Sequence, residues 1–138
     1  MTSSRKLLIL SVVALCGATL PAAADECADP QDQATMNACA GKEFETADKA
    51  LNAAYHEVVR RIGSDHETRT ALTAAQRAWI AFRDGECAFQ AKSAEGGSIY
   101  PMIVAGCEAT LTEARTEQLK AYLDCEEGDM SCPVPPAE

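Results

Sequence analysis

The chain has 138 residues, with 12 Lys and Arg against 21 Asp and Glu and a formal net charge of −9. That acidity argues against nucleic acid or an anionic membrane as partner, since both attract basic surfaces, and it favours a cationic protein. The length suits one modest domain, and seven cysteines in so short a chain point to cross-links supplementing a small core.

Residues 1–24 read as a secretory signal. Arg5 and Lys6 form a basic start, Leu7 to Leu15 an apolar stretch, and Ala22-Ala23-Ala24 a small-residue cleavage site. A lipid-modified alternative through Cys16 fits less well, because Leu15 places a bulky side chain just before it. Cleavage near Asp25 removes two of the 12 basic residues and none of the 21 acids, leaving a net charge of −11. It also leaves six cysteines, Cys27, Cys39, Cys87, Cys107, Cys125 and Cys132. An even number in an exported chain predicts disulfides and a periplasmic or secreted location. No later apolar run approaches the ~20 residues a spanning helix needs, so no membrane association is expected after cleavage.

Three amphipathic helices follow, in residues 25–124. The first is expected from Gln33 to Ile62, with Asp32 as N-cap and Gly63-Ser64-Asp65 as the turn that ends it. Its stripe of Met36, Ala40, Phe44, Ala47, Leu51, Tyr55, Val58 and Ile62 steps by three and four throughout. The second is expected from about Glu67 to Lys92, with Leu72, Ala75, Trp79 and Phe82 inward. After the break AEGGS, the third is expected to begin behind Ser98 as N-cap, to carry Pro101 in its first turn, and to reach about Leu123 on Val104, Leu111, Leu119 and Tyr122. Residues 125–138 hold three prolines and several acids and read as an irregular tail. Short turns make consecutive helices antiparallel, so the architecture predicted is an all-α, up-down-up three-helix bundle cross-linked by disulfides.

Height along such a bundle sorts the cysteines. At 1.5 Å rise per residue, Cys39 lies roughly 10 Å into the first helix, Cys87 roughly 8 Å before the end of the second, and Cys107 roughly 12 Å into the third, all at one end. Cys27 also reaches that end, whereas Cys125 leaves the opposite end with only Cys132 near. This pairs Cys125 with Cys132 and favours Cys27–Cys39 with Cys87–Cys107, other pairings among those four remaining open.

The stretch AQRAWIAFRDGEC sets polar residues beside the chain's only tryptophan. With Ala75 at 0° on a helical wheel, Trp79 falls at about 40°, Arg83 at about 80°, Gln76 at about 100° and Cys87 at about 120°. Gln76 and Arg83 thus flank the buried face. Asn37, Asp48 and Asn52 do the same on the first helix, and Thr112 and Arg115 on the third. Asp48, Gln76 and Arg115 share one height, roughly 22 to 24 Å from the disulfide end, and Arg83 and Glu108 another, roughly 13 Å from it. A charged pair of Asp48 with Arg115 is expected in the first layer, since buried charges persist only when paired. The layer of Asp48, Asn52, Gln76, Arg83 and Arg115 reads first as a device that fixes helix register and second as a ligand pocket.

In order, MNACA, AD..LN..Y, AQRAWI.FRD..C, GGS and C…LT..R...L resemble the LprI-like lysozyme-inhibitor N-terminal domain family over about Cys27 to Leu119. The resemblance implies an exported, envelope-associated α-helical domain, similar to a member that inhibits lysozyme. It also implies signature positions at Asp48, Asn52, Gln76, Trp79, Arg83, Arg115 and the cysteines.

Other chemistry is not in evidence. His56 and His66 lack clustered partners, no CxxC occurs, and DCEEGD lacks the alternation of a calcium loop, so no metal is expected. No nucleophile elbow, Cys/His pair or phosphate loop is present, and Glu43 with Glu45 reads as a solvated face, so neither an enzyme nor a cofactor is expected. Two surface features could meet a partner: Lys92, Ser98 and Tyr100 around the Gly-Gly loop, and a basic knot of Arg60, Arg61, His66 and Arg69. The reading is an inhibitor of a cationic lysozyme; the alternative is a periplasmic adaptor that binds a protein without inhibiting it.

Overall fold

The computed structural model describes residues 26–136, so the expected signal and Cys16 lie outside the described residues. Three long helices carry the fold: α1 Gln33–Ile62, α2 His66–Gln90 and α3 Tyr100–Ala121. Two single 3₁₀ turns, Lys92–Ala94 and Tyr122–Asp124, follow α2 and α3, and no strand occurs among the described residues. No helix among them is long and apolar enough to cross a membrane.

Local chemistry sets the helix ends. The Asp32 carboxylate accepts from the Thr35 N–H at 2.8 Å, and that bond holds its carboxyl below the usual carboxylate range. Gly63 stops α1 at φ +65°, where a residue with Cβ is disfavoured, and its N–H returns to the Val59 carbonyl. Asp65 opens α2 by accepting from the Thr68 hydroxyl at 2.7 Å and the Thr68 N–H at 3.1 Å, which lowers its pKa in the same way. The start of α3 differs from expectation: Ile99, not Ser98, is the cap, and it makes no side-chain cap bond. Backbone bonds from Tyr100 to Gly97 and from Met102 and Ile103 to Ile99 tighten this entry instead, with Pro101 in the first turn.

Contacts along the chain give the directions. Asn37 near the start of α1 meets Ser98 before α3, while Ile62 at the far end of α1 shares a core cluster with Leu119 near the end of α3. These two helices therefore run the same way. Tyr55 reaches Thr73 and Cys87 reaches Cys107, so α2 runs oppositely. The bundle is up-down-up, but its packing is uneven. The buried faces of α1 and α3 carry Ala40, Ala47, Ala54, Ala109, Thr112 and Thr116, small residues that let the two backbones approach closely, and this is the most extensive helix pair. α2 contacts α3 less and α1 least.

That spacing decides which face of α2 is buried. The buried residues of α2 are Gln76, Arg83 and Cys87, the first two long polar side chains that reach α3. Leu72 and Trp79 pack against the core from a half-buried position as expected, but Ala75 is exposed and Phe82 is 56% exposed. Relative to the expected apolar face, the helix is turned by roughly 60°, moving the polar flank to the centre.

All three expected disulfides form: Cys27–Cys39, Cys87–Cys107 and Cys125–Cys132, with Cα–Cα separations of 5.5, 5.5 and 5.9 Å. The last folds the tail back on the bundle. The tail is irregular, as its prolines require, yet Val134 is only 4% exposed and joins Leu51, Ala54, Val58, Ile62 and Leu119 in the core. Arg61 fixes it further, donating from Nη1 to the Pro135 carbonyl at 3.2 Å.

Candidate functional site

The polar seam organises around Arg83. Its guanidinium lies 5.0 Å from the centroid of Phe44 on α1 and 5.3 Å from that of Trp79 on α2, close enough for a cation–π contact with each. Nε and Nη2 both donate to Asp84 Oδ1, at 2.9 and 2.8 Å, and Nη1 reaches Thr112 Oγ1 at 3.4 Å. Nη1 also lies 3.9 Å from Asp48 Oδ1, so one side chain ties α1, α2 and α3. Asn52, exposed at the margin, donates to Asp48 Oδ2 at 2.8 Å and holds that carboxylate in place.

Here the expected pairing is corrected. Asp48 faces Arg83 rather than Arg115, because the rotation of α2 brings Arg83 across to α1. Arg115 donates from Nε to Gln76 Oε1 and from Nη1 to Gln118 Oε1, each at 3.1 Å. Glu108, expected near Arg83, does lie within its field. Burial pushes the Glu108 carboxyl above its ordinary value, the Arg83 charge opposes that rise and the Asp84 charge adds to it. Asp84 escaped the sequence reading because the wheel points it outward. Phe44 was legible as apolar, but not as a cation's cradle.

The candidate partner-binding residues fall at opposite ends. Around the Gly-Gly loop, Lys92 pairs with Glu95, Gly96 sits at φ +81°, and the Gly97 N–H returns to Ala94. The Ser98 carbonyl is held by Asn37 Nδ2 at 2.9 Å while Ser98 itself is exposed, and Tyr100 is half-buried as the first residue of α3. The loop is thus fixed at both ends, next to the Cys87–Cys107 bridge. At the other end Arg60 pairs with Glu57, Arg61 with the tail, and Arg69 with the Gly63 carbonyl at 3.3 Å. Each arginine of the basic knot thus has at least one donor engaged within the chain. Missed in the sequence was the outward aromatic pair on α2, Phe82 and Phe89, the latter 76% exposed. No group of His, Cys, Asp or Glu among the described residues is placed to hold a metal.

Fold and seam together define a small, disulfide-linked, all-α module whose three helices are clasped by buried arginines. The sequence pattern of the family described as lysozyme inhibitor LprI matches residues 24–119, and the chain belongs to that family. Uncharacterized protein R02472 of Rhizobium meliloti (strain 1021) is 38% identical over 133 residues, an overlap spanning 86% of this chain and 94% of the relative. Uncharacterized protein YecT of Escherichia coli (strain K12) is 29% identical over 112 residues, spanning 72% of this chain and 69% of the relative. Among solved structures, a DUF1311 family protein from Pseudomonas putida KT2440 superposes with a TM-score of 0.60 at 26% identity, covering 65% of this chain and 91% of the other.

Proposed function

We propose that this protein is an exported inhibitor, periplasmic or secreted, that docks on a cationic muramidase and presents the Lys92–Tyr100 loop to its cleft. The observation that carries the reading is the loop itself: exposed at Ser98 and Ile99, yet held by a glycine turn, the Asn37 bond and a neighbouring disulfide. Family membership supports it as well. A pre-fixed loop loses little conformational freedom on binding. The strong negative charge of the exported chain steers it toward a basic enzyme and speeds encounter at low salt. Charge alone does not inhibit, because a glycosidase works through two carboxyl groups that must be occluded. The Ser98 hydroxyl, with Tyr100 and Lys92 beside it, supplies donors for them. Arg60 and Arg61, at the opposite end of the bundle, are the second choice.

The test is a muramidase assay with the purified exported protein at about 0.1 M and 1 M salt, between which screening shortens from ~10 to ~3 Å. Inhibition that weakens with salt, falls in Ser98→Ala and Tyr100→Ala, and persists in Arg60→Ala/Arg61→Ala is expected. Absence of inhibition against every lysozyme class rejects the function and leaves the non-inhibitory adaptor. Inhibition indifferent to the loop variants keeps the function and rejects the loop.

A further inference from the structure

A cleft of about 250 Å³ opens between α2, the end of α1 and the tail, walled by Val58, Ile62, Leu72, Tyr122 and Val134, with Arg115 as its one charged lining residue. It shares no residue with the Gly-Gly loop. Arg115 is 8% exposed, and its two hydrogen bonds go to neutral amide oxygens of Gln76 and Gln118. Among the described residues no carboxylate pairs with it, whereas Arg83 has both Asp84 and Asp48. A buried cation without a counter-ion is costly, and the neutral amides compensate it only in part. Its Nη2 makes no hydrogen bond among the described residues, yet no fully enclosed side-chain polar atom there lacks a partner. Nη2 therefore touches accessible space, and Arg115 is among the residues that line the cleft.

We propose that this cleft binds a small amphiphile with one carboxylate on a short aliphatic chain, the carboxylate pairing with Arg115 and the chain lying against Leu72, Ile62 and Val134. An apolar recess with one convergent polar group is the usual form of a small-ligand site. The cleft is small, about 250 Å³ and open to solvent, so a short acid such as hexanoate is the fitting class of probe. The chemistry is specific in sign. The chain is acidic overall and repels anions at long range, so an anion binds only where a local cation is left uncompensated. A neutral alcohol of equal length gains the apolar contacts without the ion pair.

The probe is sodium hexanoate, titrated into the full exported protein alongside hexan-1-ol and followed by amide chemical shifts. Saturable shifts at Leu72, Ala75 and Val134 are expected with hexanoate, and binding at least tenfold weaker with hexanol. Arg115→Gln is expected to erase the preference for the acid. Because that variant disturbs the seam, Ala75→Trp provides a second arm. Ala75 is exposed at the cleft rim and outside the core cluster, so the indole blocks entry while the helical spectrum stays that of the parent. Loss of hexanoate binding in folded Ala75→Trp supports the site. No saturable shift at the cleft, equal binding of acid and alcohol, or undiminished binding in Ala75→Trp overturns it. A short peptide that seats its terminal carboxylate there more tightly than hexanoate overturns the ligand class. The muramidase result does not bear on any of these outcomes, because the loop and the cleft are separate surfaces.

Discussion

Replacing Arg83 by Met leaves a side chain of similar reach but removes the guanidinium from between Phe44 and Trp79. Both rings are half-buried, so each cation–π contact lies between the exposed and desolvated limits, at about 1 kcal/mol. The side chains of Asp84 and Asp48 are 52% and 44% exposed, so pairing with them adds no more than about 1 kcal/mol, and losing Arg83 strands no buried carboxylate. Relief of the guanidinium's own desolvation offsets part of this. The net expected cost of Arg83→Met is about 2 kcal/mol, which at ~4 °C per kcal/mol for a domain of this size lowers the melting temperature by roughly 8 °C. Arg83→Lys keeps the charge but not the planar fork, and is expected to recover less than half of the loss. Thermal circular dichroism and urea melts of Arg83→Met, Trp79→Leu and the double variant give the coupling directly. A coupling of about 1 kcal/mol is expected, and one inside the ~0.3–0.5 kcal/mol range of additive sites, or a Met variant melting with the parent, refutes the clasp.

Glu108 gives a pH-dependent outcome. Burial raises its folded pKa above the unfolded value, so the folded state holds the proton more tightly and stability falls as pH rises from about 4.3 through the folded value. Glu108→Gln is therefore expected to be more stable than the parent at pH 7, with the difference vanishing below about pH 4; a variant less stable at pH 7 contradicts the desolvation reading. Removing the Cys87–Cys107 bridge, which spans 20 residues, with paired alanines is expected to cost about 3 kcal/mol in urea unfolding by the chain-entropy relation. A loss below about 1 kcal/mol would show that α2 stays in place without the bridge.

How far the sequence reaches is clearest in α1, where the stripe from Met36 to Ile62 predicted the helix bounds Gln33–Ile62 that the structure has. Cap and breaker chemistry acts within four residues, so Asp32 and Gly63 were legible without any tertiary information, whereas Asp65 was read as turn and not as the cap of α2. The Cys125–Cys132 bridge was legible for a similar reason, because helical rise converts residue number into height; the other four cysteines share one height, so their pairing was a preference that the structure settled. The acidity that steers the proposed encounter is also a property of composition alone.

Rotation about a helix axis is another matter. Hydrophobicity put the face of α2 on Ala75 and Phe82, but the small residues of α1 and α3 make those two helices the most extensive pair, and α2 meets them through Gln76, Arg83 and Trp79. That moved Arg83 onto Asp48, left Arg115 with two amides and set Phe82 and Phe89 outward. The tail shows the same limit, since nothing in its prolines and acids marks Val134 as the residue that enters the core. Sequence thus determined the three helices, the bounds of α1, the Cys125–Cys132 bridge and the charge, which depend on near neighbours and on spacing along one axis. Only the tertiary structure decided which side of α2 is buried and which charge meets which, because those depend on the packing of backbones far apart in the chain.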